Sequence, residues 1–112
     1  MKVHLPWPQP VLSPNARVHW TKKDAARKKY KRDCLLLAMI EKGHIPEGKI
    51  PVLITFCPPD KRRRDMDNML ASIKAALDAV AEAWGVDDSC FRLTLDIGDV
   101  VKHGAVIVEI LG

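Results

Sequence analysis

Two aspartates and an asparagine follow directly after three arginines near the middle of the chain, in the stretch Arg62-Arg63-Arg64-Asp65-Met66-Asp67-Asn68. Neighbouring carboxylates stay ionised together at neutral pH mainly where cations neutralise them. Carboxylates with water and phosphate suit Mg²⁺ or Mn²⁺, and the adjacent guanidinium groups suit a polyanion. The stretch therefore predicts a metal-dependent site for phosphate chemistry. The alternative is a solvated charge cluster at a helix start, where acidic residues favour the helix dipole.

The helix expected after this stretch constrains how the two aspartates can cooperate. Apolar residues recur every three or four positions from Met66 to Trp84, which is typical of one amphipathic helix. At about 100° per residue, Asp67, Lys74 and Asp78 lie together on one flank of the apolar stripe, and a helical Asp65 would lie on the other. A metal shared by Asp65 and Asp67 therefore requires an extended Asp65 and a helix that begins at about Asp67 or Asn68.

The remaining elements follow from periodicity and from turn residues. Alternation predicts a strand over residues 1–7, and Thr21 with Asp24 resembles a capping box that opens a helix ending before Gly43. An apolar run rich in β-branched residues predicts a central strand over residues 52–57, and two last strands cover residues 91–97 and 105–111, joined by a turn around residues 102–104. The order β-α-β-α-β-β predicts an α+β fold, a small mixed β-sheet packed with two helices.

Composition indicates one domain over residues 1–112, with 47% hydrophobic and 29% charged residues and a net charge of +4. The basic residues are clustered, seven of the eighteen between Lys22 and Arg32 and four more at residues 61–64. Such clustering predicts contact with the backbone of a nucleic acid. The candidate DNA-binding residues are Arg62, Arg63, Arg64, Asn68, Asn15, Arg17, Lys22, Lys23 and Arg27; for the residues of the loop at 15–19, ordinary solvated side chains are the alternative.

Cysteine and tryptophan side chains are interpreted as structural. The three cysteines lack the paired spacing of zinc sites and are expected to be small buried residues. Trp7, Trp20 and Trp84 are expected to be core or interface anchors. Neither a signal peptide nor an apolar stretch of membrane-spanning length is found, which predicts a cytoplasmic protein without membrane contact.

A further acidic pair follows the second helix, in Gly85-Val86-Asp87-Asp88-Ser89. With it, the chain resembles the RusA-type Holliday junction resolvases, whose signature is a basic run leading into Asp-x-Asp-Asn, a lysine and an aspartate on the next helix, and an Asp-Asp pair beyond. The resemblance implies Asp65, Asp67 and Asp88 as metal-binding and catalytic residues, with Lys74 as the catalytic lysine. Lys74 departs from the best-known member in following the second aspartate by seven positions rather than four, and Asp87 is an alternative to Asp88.

The same resemblance implies what the protein does. It implies a homodimeric endodeoxyribonuclease that uses Mg²⁺, with Mn²⁺ as a substitute. Such an enzyme nicks four-way DNA junctions symmetrically, in DNA recombination and repair. Two other interpretations stay open: a non-catalytic nucleic-acid-binding domain, and a phosphatase of the haloacid dehalogenase type. The phosphatase needs a larger doubly wound sheet and an aspartate directly after an apolar strand, whereas residues 61–64 intervene here.

Overall fold

Four apolar segments form one mixed sheet in the computed structural model, which describes residues 1–111. The strands are β1 (Lys2–Pro6), β2 (Ile50–Cys57), β3 (Phe91–Ile97) and β4 (Ala105–Ile110), in the order β1-β4-β2-β3. β4 runs antiparallel to both β1 and β2, whereas β2 and β3 are parallel. The predicted mixed sheet and the central position of the apolar strand β2 are confirmed.

The helices are α1 (Trp20–Ile40), α2 (Met66–Ser72) and α3 (Lys74–Trp84). The expected second helix is therefore divided at Ile73, and the expectation of one continuous helix was wrong. The Ser72 hydroxyl donates a hydrogen bond to the Asn68 carbonyl at 2.8 Å, and the Ile73 N–H bonds the Leu70 carbonyl, three residues back, at 3.2 Å. A serine that bonds the carbonyl four residues back bends a helix, which accounts for the break.

The start of α1 also differs from the expected capping box. His19 is the N-cap, and its Nδ1 accepts a hydrogen bond from the Thr21 N–H at 3.2 Å. Asp24 instead forms ion pairs with Arg27 and Lys28, one turn along the same helix. These contacts, Arg27 first, hold the pKa of Asp24 below its ordinary value. The basic residues that follow Asp24 thus compete for the carboxylate that the capping box requires.

The hydrophobic core lies between the helices and one face of the sheet. Alternate strand residues are fully or almost fully buried there: Val3, Leu5, Val52, Ile54, Phe56, Val106 and Val108. From the helices, Tyr30, Cys34, Ile73, Ala76 and Val80 complete this core. α3 packs against α1, and most of its buried residues are alanines, whose small side chains suit a close approach of the two helices.

The last two strands are not neighbours, because β2 lies between them. Their connection crosses the end of β2, where the Gly98 N–H donates to the Phe56 carbonyl at 2.9 Å and the Val101 N–H to the Pro58 carbonyl at 3.0 Å. The turn that precedes β4 includes Gly104 at φ 71°, and a Cβ there would lie 2.8 Å from the Trp7 side chain. Glycine therefore permits the close contact that seats Trp7 at this end of the sheet.

Among residues 1–111, none of the helices combines the length and the apolar composition that crossing a bilayer requires.

Candidate functional site

A cavity of about 750 Å³ opens at the carboxyl end of β2, a position where sheet proteins with helices packed against them often carry their sites. We call it the arginine cavity. α2 contributes Asn68, Met69 and Ser72 to the lining, and these residues lie on one helix face, because Ser72 follows the other two by four and three positions. The full lining is Trp7, Pro8, Gln9, Pro10, Ser13, Phe56, Pro59, Arg62, Arg63, Arg64, Asp65, Asn68, Met69, Ser72 and His103.

Arg64 is bound into the wall of this cavity. Its Nη1 donates to the Asp60 carbonyl at 3.2 Å and to the Arg62 carbonyl at 3.0 Å, and its Nη2 lies 2.9 Å from Asp60 Oδ1. The guanidinium carbon also lies 5.5 Å from the centre of the Trp7 ring, within cation–π range. With a side chain only 17% exposed, Arg64 shapes the loop between β2 and α2 rather than presenting a free cation.

Asp60 is a residue of this loop that sequence reasoning missed. Its carboxylate accepts the Arg62 backbone N–H at 2.9 Å, and this hydrogen bond, followed by that from the Arg64 side chain, lowers the pKa of Asp60 below its ordinary value. Two features of the sequence could have indicated its role. Asp60 follows Pro58-Pro59, which is typical of a turn, and it precedes Arg64 by four residues. Asp60 fixes the loop and leaves the Arg62 side chain 81% exposed.

Asp65 is extended, with φ −82° and ψ 134°, and is the N-cap of α2. Asp65 therefore lies outside the helix, which is the condition for the two aspartates to cooperate. α2 begins at Met66, slightly before the expected start. Asp65 makes no side-chain capping bond, and within residues 1–111 neither Asp65 nor Asp67 has an ion pair. Asp65 and Asn68 line the arginine cavity, whereas Asp67 is exposed outside its lining.

Lys74 lies in a different cavity, of about 370 Å³, between the start of α1 and the junction of α2 with α3. We call this cavity the tryptophan groove; it is lined by Leu12, Trp20, Lys23, Asp24, Arg27, Ala71, Ser72, Lys74 and Ala75. Ser72 belongs to both linings, so the two cavities are adjacent at the end of α2. The structure thus groups Lys74 with the basic residues of α1 rather than with Asp65.

Asp88 lies at the opposite end of the sheet from Asp65. It opens a short 3-10 helix (Asp88–Cys90) that leads directly into β3, and Phe91 of β3 pairs with Ile50 at the start of β2. The eight residues of β2 span about 25 Å at about 3.3 Å per residue, and Asp65 follows their far end. Within one chain, the structure therefore does not bring Asp88 together with Asp65.

Asp87, the alternative to Asp88, has a structural task in the same turn. Its Oδ1 accepts the Ser89 N–H at 2.9 Å, and this backbone bond is the main reason that the pKa of Asp87 lies below its ordinary value. Both members of the late acidic pair are exposed, and both belong to the end of the sheet at which β2 and β3 begin.

The oxygen donors near the arginine cavity fit a magnesium ion only in part. Within residues 1–111, no group of three or more His, Cys, Asp and Glu side chains is placed to hold a metal. Mg²⁺, however, is commonly held by one or two carboxylates, with waters and substrate phosphates completing its coordination. Asp65, with Asp67 two residues on and the Asn68 amide, supplies donors of that chemistry, and the neighbouring arginines would attract the phosphates.

The other candidate DNA-binding residues lie at the surface next to these cavities. Asn15 and Arg17 are exposed in the loop before α1, and Lys22 is exposed on its first turn. Lys23 and Arg27 line the tryptophan groove, where Arg27 is paired with Asp24.

Comparison with known proteins gives a relative without an assigned function. No model of a protein family matches the chain. A protein of Xylella fastidiosa described as uncharacterized is 41% identical over 113 aligned positions, which cover 96% of this chain and 74% of the relative. The chain belongs to the family of this Xylella protein. The shared length takes in nearly the whole fold, the sheet and the helices together.

Proposed function

We propose that the protein is a metal-dependent endodeoxyribonuclease that acts on branched DNA, with the four-way junction as its substrate, in DNA recombination and repair in the cytoplasm. The observation that carries the proposal is the state of Asp65: an extended carboxylate without an ion pair in residues 1–111, on the wall of a cavity that also has two exposed arginines. The RusA resemblance supports the same activity. In this proposal Mg²⁺ is the metal, and Mn²⁺ can substitute for it.

Each group of the arginine cavity has a role in phosphodiester hydrolysis. Asp65 and Asp67 would hold the ion, which when bound activates a water and stabilises the charge of the scissile phosphate. Arg62 and Arg63 are exposed and would bind the flanking phosphates. Arg64 would keep the loop in the shape that presents these two side chains. Asn68 can donate or accept a hydrogen bond at the cavity wall.

The catalytic roles that the resemblance implies for Asp88 and Lys74 require a second copy or a bound substrate. β3 is an edge strand, and its residues Leu93 and Ile97 are exposed. Two β3 strands paired antiparallel across a two-fold axis would bring the partner's Asp88 to the end of the sheet that carries Asp65. A homodimer of this kind is part of the proposal, since a two-fold dimer also matches a substrate with two equivalent strands.

A non-catalytic nucleic-acid-binding domain is the second candidate. The separation of Asp88 and Lys74 from Asp65 within one chain favours it, because a binding domain needs the basic surface but no assembled carboxylates. The phosphatase interpretation has less support: the sheet has four strands of mixed direction, not the larger doubly wound sheet that this class needs.

The deciding experiment measures nicking of a synthetic four-way junction with Mg²⁺ and with Mn²⁺. We expect Asp65→Asn and Asp67→Asn to abolish nicking while junction binding persists, because each change removes a charge and keeps the shape. Glu47→Gln is the matched control, an exposed acid in the loop before β2, at the far end of the sheet. Equal nicking by wild type and both variants would end the carboxylate hypothesis.

Two further outcomes of that experiment point to the other interpretations. Junction binding by the wild type without nicking, under both metals, would support the binding domain. Release of inorganic phosphate from small phosphoesters would support the phosphatase.

A further inference from the structure

Trp20 is an exposed aromatic side chain in a protein whose other tryptophans are at least partly buried. Its side chain is 71% exposed on the first turn of α1, whereas Trp84 is 3% exposed in the core and Trp7 is half-buried beneath Arg64. Trp20 was expected to be a core or interface anchor, and the core alternative was therefore wrong. Single exposed apolar side chains are common, and Ile40 is 75% exposed as well, so it is the surroundings of Trp20 that distinguish it.

The local structure holds this indole in place. The His19 ring lies beside it, with centroids 5.8 Å apart and planes 32° apart. His19 is itself fixed, because its Nδ1 contacts the Thr21 hydroxyl at 2.8 Å and accepts the Thr21 N–H. Trp20 thus presents an aromatic face from the start of a 21-residue helix rather than from a loop.

The surface around Trp20 is cationic. The tryptophan groove contains Lys23, Arg27 and Lys74 against the single acid Asp24. Asp24 is already engaged by Arg27 and Lys28, so Lys23 and Lys74 have no ion pair within residues 1–111. An aromatic face flanked by free cations is the combination that binds single-stranded nucleic acid, in which bases stack on aromatic rings and cations follow the backbone.

The groove also adjoins the proposed catalytic site. Ser72 lines both cavities, and the volume of the groove is within the range of about 300–1,000 Å³ found for small-ligand sites. A strand that leaves the arginine cavity past the end of α2 would therefore meet Trp20. In a duplex the faces of the bases are covered by their neighbours, and only an unpaired base offers a face to an indole.

We propose that Trp20 stacks on an unpaired nucleobase, with Lys23 and Lys74 binding the adjacent phosphates. This inference rests on the proposed function for its substrate, branched DNA, and adds that the protein holds an unpaired nucleotide next to the cleavage site. It assigns to Lys74 a position on the strand backbone, which explains why Lys74 lies with α1 rather than with Asp65.

The test compares binding of a single-stranded oligothymidylate with binding of a blunt duplex of the same length. We expect Trp20→Ala to weaken single-strand binding about 5- to 150-fold, the effect of losing one base–aromatic stack, and to change duplex binding by less than about 2-fold. Trp20→Phe should retain part of the affinity. Ile40→Ala is the matched control, an apolar residue 75% exposed at the other end of α1, and should bind as the wild type does.

Intrinsic fluorescence and salt dependence give independent readouts. Single-strand binding should quench the wild-type emission, and most of the quench should be lost in Trp20→Phe, because Trp84 is buried and Trp7 is half-buried beneath Arg64. Lys23→Gln should make the plot of log binding constant against log salt concentration less steep, by the amount expected for the loss of about one phosphate contact. Circular dichroism of each variant checks that it is folded.

The outcomes separate this inference from the proposed function. If the wild type nicks junctions but Trp20→Ala binds single strands as tightly as wild type, or loses duplex and single-strand binding equally, the inference is overturned and the nuclease proposal stands. If single-strand binding depends on Trp20 but no nicking occurs, the inference is supported and the nuclease proposal is contradicted. A wild type that binds neither oligonucleotide overturns the inference.

Discussion

Replacing Arg64 with alanine should destabilise the fold, although its neighbour Arg63 can be replaced at little cost. Arg64 donates to two backbone carbonyls, pairs with Asp60 and lies over the Trp7 ring, and its side chain is only 17% exposed. Arg63 is exposed and has no ion pair within residues 1–111. The two side chains carry the same charge in adjacent positions, so they form a matched pair for separating structure from binding.

The magnitude follows from the contacts that Arg64→Ala removes. A hydrogen bond to a carbonyl contributes about 0.5–1.5 kcal/mol net, and one of the two lies at an exposed position, so its share is at the lower end. A cation–π contact at a part-exposed site adds about 0.5–1 kcal/mol. The ion pair to Asp60 is solvent-screened and adds little. The free energy of unfolding should fall by about 2 kcal/mol, which lowers Tm by about 8 °C in a domain of this size.

Thermal and urea unfolding followed by circular dichroism measure this difference. Arg64→Lys should have an intermediate stability, because one ammonium group cannot reproduce the forked contacts of a guanidinium. Arg63→Ala should have the opposite effect to Arg64→Ala: it should weaken junction binding and leave Tm unchanged to within about 1 °C. Equal Tm values for Arg64→Ala and Arg63→Ala, with equal losses of DNA affinity, would refute the assignment of Arg64 to the loop structure.

Two further predictions concern single side chains. The buried Tyr30 hydroxyl donates to the Pro6 carbonyl at 2.7 Å, so Tyr30→Phe should lower the free energy of unfolding by about 0.5–1.5 kcal/mol, measured by urea unfolding; an unchanged midpoint would contradict it. The pKa of Asp60 is lowered from 3.8 by the Arg62 N–H and Arg64, so the loop contacts should persist above pH 3.8 and weaken only as pH falls through the lower value. An NMR titration of the Asp60 carboxyl with a midpoint at or above 3.8 would contradict this.

The sheet and its core follow closely from sequence pattern, because alternation indicates the strands β1 and β3 and apolar runs indicate β2 and β4. Ile54 and Phe56 in β2 and Val106 and Val108 in β4 are fully buried, and each pair is spaced by two residues because alternate side chains of a strand point to the same face. Ile73, at the centre of the apolar stripe, is fully buried as well. The burial of these residues can be predicted from the local apolar pattern alone.

The contacts that sequence pattern did not predict are those in which a side chain has several equivalent partners and binds only one of them. Three arginines in a row are indistinguishable as letters, yet only Arg64 reaches the Asp60 and Arg62 carbonyls. Asp24 is positioned for a capping box, but Arg27 and Lys28 bind it and His19 caps the helix instead. The Ser72 hydroxyl could equally have faced solvent, in which case nothing would mark Ile73 as a helix break.

The position of Asp88 follows from topology and not from residue type. β2, the α2–α3 segment and the parallel strand β3 form a crossover, and a crossover must carry the chain back to the end of the sheet at which β2 began. Whatever follows α3 is therefore separated from whatever follows β2 by the length of the strand. Asp65 and Asp88 flank the 19 residues from Met66 to Trp84, about 28 Å of helix.

This separation decides what kind of assembly the proposed nuclease needs. Closing the gap between Asp65 and Asp88 within one chain would require the crossover to unfold, with loss of the core between α3 and the sheet. A second copy paired through β3 closes it without any change in fold, since antiparallel pairing reverses the direction of the partner's strand. If Asp88 takes part in catalysis, then the active site is composite and the monomer is inactive. A variant that blocks β3 pairing, such as Leu93→Pro on this edge strand, whose N–H faces away from β2, should then lose nicking while single-strand binding at Trp20 is retained.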